Sequence, residues 1–171
     1  MESGPSHPAA IDETALLAAC VIRRCRTGGP GGQHRNKTET GISITHAPTG
    51  LVGQAGERRS LRENQRMAIW RLRLSLAVEV RGYFDLRRVP SALWRPRCRG
   101  EKLSVNPEHH DYPALLAEAL DVLSALRFDA SRAANLLQCT TSQLVKLIKE
   151  EPRAMGWVNR ERIARGMRAM K

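Results

Sequence analysis

The chain has 171 residues, of which 42% are hydrophobic and 4% aromatic, so it can form one ordinary domain or two small ones with a core of Leu, Ile, Val and Ala. The net charge of +11 is concentrated in residues 20–110, which carry 18 Lys and Arg against 7 acids, and this favours a polyanionic partner such as nucleic acid. No run of about 18 apolar residues and no signal peptide are visible, so a membrane partner is much less favoured than nucleic acid and we expect a cytoplasmic protein. The four cysteines form no CxxC pair and complete no zinc spacing with His109 and His110, so we expect reduced thiols and no metal site.

The first elements surround a glycine-rich loop. Ile42 and Ile44 alternate with smaller or polar residues, which predicts a half-buried strand. Pro48 and Gly50 are typical turn residues, so a return strand follows and the two strands form a β-hairpin. In chain order we predict a disordered tail (residues 1–10) and a short helix opened by Asp12 (12–17). A strand (20–26) leads into the loop (27–39). A second strand (40–46), a turn (47–50) and a return strand (51–55) follow.

A long helix follows over residues 61–80. Ser60 with Glu63 three residues later forms a capping box at its start. Gly82 is predicted to end it. A single apolar stripe is predicted to face the sheet, formed by Leu61, Ala68, Ile69, Leu72, Leu76 and Val80.

Residues 83–111 combine many arginines with prolines, which predicts a basic, irregular connector with at most a short strand near 103–105. The remainder is predicted to be helical. Pro113 opens the first of these helices, Asp129 or Ser131 caps the second, and Thr141 or Ser142 caps the third. Pro152 should stop that third helix, and Asn159 should cap a last, basic helix. The short helices joined by a tight turn have the proportions of a helix-turn-helix.

The predicted fold class is therefore α+β, with a small sheet and hairpin packed on one long helix, followed by an all-α unit that resembles a helix-turn-helix. We divide the chain into a disordered tail (residues 1–10), a sheet-and-helix domain that carries the glycine loop (11–82), a basic linker (83–111) and a C-terminal helical domain (112–171).

The glycine loop allows three interpretations. A Walker phosphate loop fails because Lys37 and Thr38 follow Asn36 rather than glycine, and a dinucleotide fingerprint fails because a strand follows the glycines instead of a helix. Composition alone leaves open a flexible loop without chemistry. The third interpretation rests on the extended string around the loop.

The string GPGGQHRNKTETGISITHAPTG (residues 29–50), with RSLRENQRMA (residues 59–68), resembles the catalytic domain of class I peptide chain release factors and their small ribosome-rescue relatives. The resemblance covers about residues 20–80. Two positions depart from the family pattern: Arg35 stands where a small aliphatic residue is expected, and Leu61 replaces the usual glutamine.

The resemblance implies that the loop enters the peptidyl transferase centre and promotes attack of water on the ester of P-site peptidyl-tRNA. The catalytic residues would be Gly31, Gly32 and Gln33. The Gln33 backbone N–H would donate to the developing oxyanion, its side chain would help to place water, and the glycines would permit close approach to RNA. No cofactor is expected. We predict RNA contacts at His34, Arg35, Asn36, Lys37, Thr38, Arg58, Arg59, Arg87, Arg88, Arg95 and Arg97.

No codon-reading tripeptide is apparent, so the resemblance favours codon-independent rescue of stalled ribosomes over termination at stop codons. The expected partners are large-subunit rRNA, peptidyl-tRNA and, through the connector and helical unit, the small subunit; a membrane is not a partner and the protein should be a monomer. A stabilising or dimerising cap remains open as an alternative role for the helical unit. The alternative function is a non-catalytic regulator that binds nucleic acid through the helix-turn-helix, although Arg132, Lys146 and Lys149 provide few phosphate contacts for it.

Overall fold

A computed structural model describes residues 7–25, 40–81 and 85–171. It confirms the predicted α+β class, with a small antiparallel sheet followed by a mainly helical region. The strands are β1 (Cys20–Cys25), β2 (Gly41–His46), β3 (Val52–Ala55), β4 (Cys98–Arg99) and β5 (Lys102–Leu103). The helices are α1 (Glu13–Ala18), α2 (Leu61–Glu79), α3 (Tyr112–Ala125), α4 (Ala130–Leu136), α5 (Thr141–Lys149) and α6 (Pro152–Ala164).

The main sheet has the order β1-β2-β3, and both strand pairs are antiparallel. In the central strand Ile42 and Ile44 are buried against α2, as their alternation predicts. Gly50 closes the turn between β2 and β3 with φ of +71°, a conformation that favours glycine, so the predicted β-hairpin is confirmed.

Helix α2 begins as predicted, because the Ser60 hydroxyl accepts a hydrogen bond from the Glu63 N–H at 3.4 Å. It ends at Glu79, followed by an extended Val80; the predicted terminator Gly82 lies outside the described residues. The expectation of one apolar stripe was too narrow. Leu74, Ala77 and Val78 are buried in addition to the predicted Ala68, Ile69, Leu72 and Leu76, because α2 packs between the sheet and α3. The predicted Leu61 and Val80 are only partly buried.

Residues 7–10 correct the predicted disordered tail, of which residues 1–6 lie outside the described chain. Ala9 is fully buried, and the Arg73 guanidinium donates to the carbonyls of Ala9 and Ile11, each at 2.8 Å. The His7 side chain reaches the Val80 carbonyl at 3.0 Å. This segment is therefore fixed along α2, because side-chain donors of Arg73 and His7 bind backbone carbonyls across the contact.

The described part of the connector has more structure than the predicted irregular segment. Two 3₁₀ turns, Leu86–Arg88 and Arg95–Arg97, precede the small hairpin β4–β5, whose second strand lies at 102–103 rather than at 103–105. Trp94 is fully buried and its indole N–H donates to the Leu137 carbonyl at 2.8 Å. Burial of a large aromatic ring with a satisfied N–H anchors this segment on the helices.

The C-terminal region contains four helices. Pro113 lies in the first turn of α3, and Asp129 caps α4 by accepting from the backbone of Ser131 and Arg132. One cap prediction was wrong: Thr140, rather than Thr141 or Ser142, caps α5. The prediction for Pro152 was also wrong, because this residue begins α6 instead of ending α5, and proline is well tolerated in a first turn.

The predicted cap at Asn159 was wrong as well. This residue lies inside α6, and its amide makes two hydrogen bonds to the backbone of Met170. These bonds hold the chain that follows α6 against the helix. A cap prediction from residue type alone failed here because Glu151 already caps the N-terminus of the longer helix.

One hydrophobic core runs from the sheet through α2 and α3 to α6. At the junction, the Arg81 guanidinium pairs with the Asp121 carboxylate at 2.9 Å and lies 5.1 Å from the centre of the Trp157 ring. Burial raises the pKa of Asp121 to about 6, although Arg81 acts in the opposite direction. In the described part of the chain no helix is both long and apolar enough to cross a membrane. The domain boundaries given above stay a prediction.

Candidate functional site

Strands β1 and β2 form a stem for the glycine loop. Their register pairs Cys20 with His46 at one end and Cys25 with Gly41 at the other. The 14 residues between Cys25 and Thr40 therefore leave and rejoin the sheet on neighbouring strands, which lie about 5 Å apart. The sheet therefore fixes the positions of the two residues between which the loop runs, Cys25 and Thr40.

The predicted catalytic residues Gly31, Gly32 and Gln33 lie outside the described residues. The same holds for the predicted RNA contacts of the loop, which are His34, Arg35, Asn36, Lys37 and Thr38. Their roles stay predictions, and the described site consists of the elements that hold the loop.

Asn64 joins the end of the loop to the start of α2. Its side chain is fully buried, and its amide N–H groups donate to the carbonyls of Thr40 at 2.7 Å and Arg58 at 2.9 Å. Its carbonyl oxygen accepts from the Arg58 N–H at 3.0 Å. One side chain thus fixes the residue that follows the loop against the residues that precede α2. We call these three hydrogen bonds the Asn64 bracket.

Asn64 lies within the family-like string of residues 59–68, but the sequence alone assigns it no function. A polar residue in the first turn of a helix is ordinarily solvated, and its neighbours Arg62, Glu63 and Arg66 are indeed exposed. The family-like spacing was the one available signal. Its role depends on Thr40, which lies 24 residues earlier in the chain.

Arg58 and Arg59 lie beside the bracket, immediately before the cap Ser60, and both side chains are exposed. The backbone of Arg58 is held by Asn64. The structure therefore brings these two predicted RNA contacts to the same end of the sheet as the loop, where their charges face solvent. This geometry suits contact with phosphates.

The turn between β3 and α2 is held by an ion pair. The Arg71 guanidinium lies 2.6 Å from the Glu57 carboxylate and also donates to the Gln54 carbonyl at 2.7 Å. Backbone N–H groups of Gly56 and Glu57 and then Arg71 lower the pKa of Glu57 to about 2, so this carboxylate is charged at neutral pH.

The other predicted RNA contacts lie on the connector that follows α2. Arg87 and Arg88 are exposed on the first 3₁₀ turn, where Arg87 pairs with Asp85 at 3.4 Å. Arg95 and Arg97 lie in the second turn, beside the hairpin β4–β5. Arg97 pairs with Asp111, at the start of α3. Since β5 packs on α5, these arginines belong to the surface of the C-terminal helices.

One cluster of described side chains could bring three metal-ligand atoms within 4.8 Å of one another: His109, His110 and Asp111. The Asp111 carboxylate already pairs with Arg97 and with His110. A guanidinium on the shared carboxylate opposes binding of a cation, so we assign no ion to this cluster.

Comparisons with known proteins agree with this geometry. Residues 14–84 match the family model of the RF-1 domain. The chain is 49% identical over 55 residues to peptide chain release factor 1 of Dictyoglomus thermophilum, which covers 32% of this chain and 15% of that protein. It is 43% identical over 73 residues to peptide chain release factor 1 of Chlorobaculum tepidum, covering 40% of this chain and 20% of that protein.

Peptide chain release factor 2 of Proteus mirabilis is 47% identical over 51 residues, covering 30% of this chain and 14% of that protein. The alignments thus span no more than a fifth of the length of these relatives. No solved structure gives a significant match.

The matched residues 14–84 include α1, the three-stranded sheet, the loop and α2, together with the Asn64 bracket. This segment of the chain matches the RF-1 domain family, and the chain is similar to peptide chain release factors 1 and 2 over no more than two fifths of its length.

Proposed function

We propose that this protein promotes ribosome-dependent hydrolysis of the ester that joins the nascent peptide to P-site tRNA. The observation that carries the proposal is the RF-1 domain, in which the motif Gly31-Gly32-Gln33 lies on a loop between paired ends of β1 and β2. Its site of action would be the peptidyl transferase centre of the large subunit, in the cytoplasm.

The chemistry requires a hydrogen-bond donor directed at the charge that develops on the ester carbonyl. The Gln33 backbone N–H would supply this donor, and the absence of a side chain at Gly31 and Gly32 would let the backbone approach RNA closely. The Gln33 side chain would position water and exclude larger nucleophiles. The Asn64 bracket supports this proposal, because it restricts the end of the loop at Thr40.

We further propose that the activity is codon-independent rescue of stalled ribosomes. The family match ends at residue 84, and the described chain continues as a small hairpin and four helices outside that match. No codon-reading tripeptide is apparent in this region. The comparisons give no support to the alternative of a non-catalytic regulator.

The test measures release of labelled peptide from ribosomes stalled on an mRNA without a stop codon. Gly32→Ala should lower the release rate about 100-fold at saturating factor, because a Cβ there would displace the neighbouring Gln33 N–H and loss of one oxyanion donor costs about that much. Gln33→Ala keeps the backbone donor, so it should mainly increase release by an added nucleophile such as hydroxylamine relative to water. Matched controls are Gly156→Ala, where a Cβ would meet only the end of Arg160 at 3.6 Å, and Gln65→Ala on α2.

Release that is unchanged in both Gly32→Ala and Gln33→Ala would contradict the assignment of chemistry to this loop. Release that requires a stop codon in the decoding site would contradict the rescue function but leave the hydrolytic activity intact.

A further inference from the structure

Three adjoining concavities follow the hairpin β4–β5 and helix α5. The first, of about 600 Å³, is lined by Arg97, Arg99, Lys102 and Ser104. The second, of about 220 Å³, shares Lys102 and Ser104 and extends to Lys146 and Glu150 of α5. The third, of about 440 Å³, shares Lys146 and Glu150 and extends to Lys149 and Lys171. Neighbouring concavities share lining residues and therefore adjoin one another, and we call the three together the basic groove.

The charge of the basic groove is almost entirely positive. Its lining contains six cations and one carboxylate, Glu150. The chain has five lysines, and every one except Lys37 of the glycine loop lines this groove. Among the described residues, Arg97 is paired with a carboxylate, whereas the other five cations have no carboxylate within ion-pair distance. These five charges are free to attract a polyanion.

The walls of the groove are fixed by backbone contacts. The Thr140 N–H donates to the Glu101 carbonyl at 3.2 Å, and the Cys98 thiol donates to the Gln138 carbonyl at 2.9 Å, so the hairpin is held against the turn between α4 and α5. The two hydrogen bonds between Asn159 and Met170 hold the segment that carries Lys171. The groove is therefore formed before any partner binds, which reduces the entropic cost of binding.

The shape and surface chemistry favour a nucleic-acid backbone. Helix α5 is about 13 Å long, which corresponds to about four phosphates along one strand. The groove also presents the Ser104, Thr141 and Ser142 hydroxyls and the Gln143 amide, which can bind phosphate or sugar oxygens. The exposed large hydrophobic side chains of the described chain are Val21, Ile22, Val52 and Ile163, and none lines the groove. The lining also contains apolar residues, among them Leu103, Val105 and Val145, but the six cations and four neutral polar side chains outnumber them, which favours a polyanion over a membrane or an apolar protein surface.

We propose that the basic groove binds RNA through its phosphates, as a second RNA-binding surface separate from the glycine loop. The choice of RNA rests on the proposed ribosomal function, whereas the assignment of a phosphate-binding surface rests on the groove alone. Lysines suit this role because each flexible ammonium group can contact a phosphate without a requirement for base sequence.

The test measures binding of a fluorescein-labelled single-stranded RNA of about 15 nucleotides to the full chain by fluorescence anisotropy. The groove variant combines Lys102→Gln, Lys146→Gln and Lys149→Gln. The matched control combines Arg62→Gln, Arg66→Gln and Arg132→Gln, which remove the same charge from exposed positions on α2 and α4. All six side chains are exposed, so both variants should fold, and circular dichroism and thermal unfolding check this.

We expect the groove variant to bind RNA at least about 10-fold more weakly at near-physiological salt, and the control less than about 3-fold more weakly. The slope of log affinity against log salt should fall by about 2 in the groove variant, since each lost phosphate contact on a single strand contributes about 0.7. Equal losses in the two variants would overturn the proposal, because binding would then depend on net charge alone.

Three further arms compare a duplex RNA, a duplex DNA of the same sequence and poly-glutamate as competitor. Tighter binding of the DNA, or displacement of RNA by poly-glutamate at equal charge concentration, would overturn the assignment to RNA. Groove-dependent binding of either RNA supports it.

The outcome is separable from that of the proposed hydrolysis, since the binding assay has no catalytic step. If the parent protein binds RNA through the groove but releases no peptide, the hydrolytic function fails and the groove assignment stands. If both hold, the groove variant should need more factor for half-maximal release while the rate at saturation stays unchanged, opposite to Gly32→Ala.

Discussion

At the scale of single residues, the stability of the candidate site depends on polar groups that are buried and fully paired. The Asn64 amide uses both N–H donors and its carbonyl oxygen, and no other side chain of similar size offers this combination at a buried position. Burial of a carboxamide without such partners costs free energy, so Asn64 stabilises the fold only because Thr40 and Arg58 are placed around it.

We expect Asn64→Asp to lower the free energy of unfolding by about 2 to 4 kcal/mol, because a carboxylate would face the Thr40 and Arg58 carbonyls without donors. Urea denaturation measures this loss. If the protein has the proposed activity, the rate of peptide release at saturation should also fall at a temperature where the variant stays folded, since the end of the glycine loop is less restricted. Gln65→Ala, at the neighbouring position, should change stability by less than about 0.5 kcal/mol. An Asn64→Asp protein as stable as the parent would contradict the role of the bracket.

At the scale of elements, the domain depends on close approach of strand β3 to helix α2. Gly53 pairs with Ile44 in the sheet and faces the helix backbone. A Cβ at this position would lie 2.1 Å from the Ala68 carbonyl oxygen and 2.6 Å from the Leu72 nitrogen. A side chain is therefore excluded by backbone atoms, which cannot move away as a flexible side chain could.

We expect Gly53→Ala to destabilise the protein by about 3 kcal/mol or more, since the sheet and helix would have to separate. The measurement is the unfolding midpoint in urea, or loss of soluble protein if the effect is larger. Gly156→Ala in α6 is the matched control, and it should be neutral or stabilising because alanine favours helix and has space there. Equal stability of Gly53→Ala and parent would show that the strand and helix are not this close.

At the scale of the whole molecule, the RF-1 domain and the C-terminal helices share one core. The N-terminal segment also contributes, because His7 spans from this segment to the end of α2. The Ala9 N–H donates to Nδ1 of His7 at 3.1 Å, so Nε2 carries the proton and donates to the Val80 carbonyl. Burial and then the charge of Arg81 lower the pKa of His7 to about 4, against the hydrogen bond to Val80, which raises it.

This pKa predicts a pH dependence of stability. The folded state holds His7 neutral, whereas the unfolded state protonates it near its ordinary pKa of about 6.5, so the contribution of His7 is complete above that pH and is lost as the pH falls toward 4. We expect the stability difference between parent and His7→Gln to fall by up to about 3 kcal/mol between pH 7.5 and 4. Urea denaturation of both proteins across this range measures it.

The comparison with His7→Gln is needed because Asp121 acts in the opposite direction. Its raised pKa means that the folded state gains a proton first, so its own term increases stability as the pH falls below about 6. Both proteins contain Asp121, so its contribution cancels when the free energy of unfolding of His7→Gln is subtracted from that of the parent. A difference that stays constant with pH would contradict the assignment of a neutral, buried His7.

Much of the fold follows from local sequence, because caps, turns and strand alternation act over a few residues. Ser60, Asp129, Pro113 and Gly50 have their predicted roles, and the hairpin and α2 lie at the predicted positions. The resemblance to release factors was also visible in the sequence, because the residues that carry it form a continuous string over 29–50. The predictions of helix ends that failed, at Thr141 or Ser142, Pro152 and Asn159, concern residue types that are compatible with more than one position in a helix.

The remaining features depend on residues that are far apart in sequence, and their proximity follows only from packing. The side chains of Asn64, Arg73 and Trp94 donate hydrogen bonds to the backbone carbonyls of Thr40, Ala9 and Leu137, respectively. The basic groove collects Lys102, Lys146 and Lys171 from a hairpin, a helix and the segment after α6. In the sequence these lysines are isolated charges of the kind that solvated surfaces carry. They become one surface because the hairpin docks on α5 and Asn159 holds the last residues in place, and neither contact has a local signature.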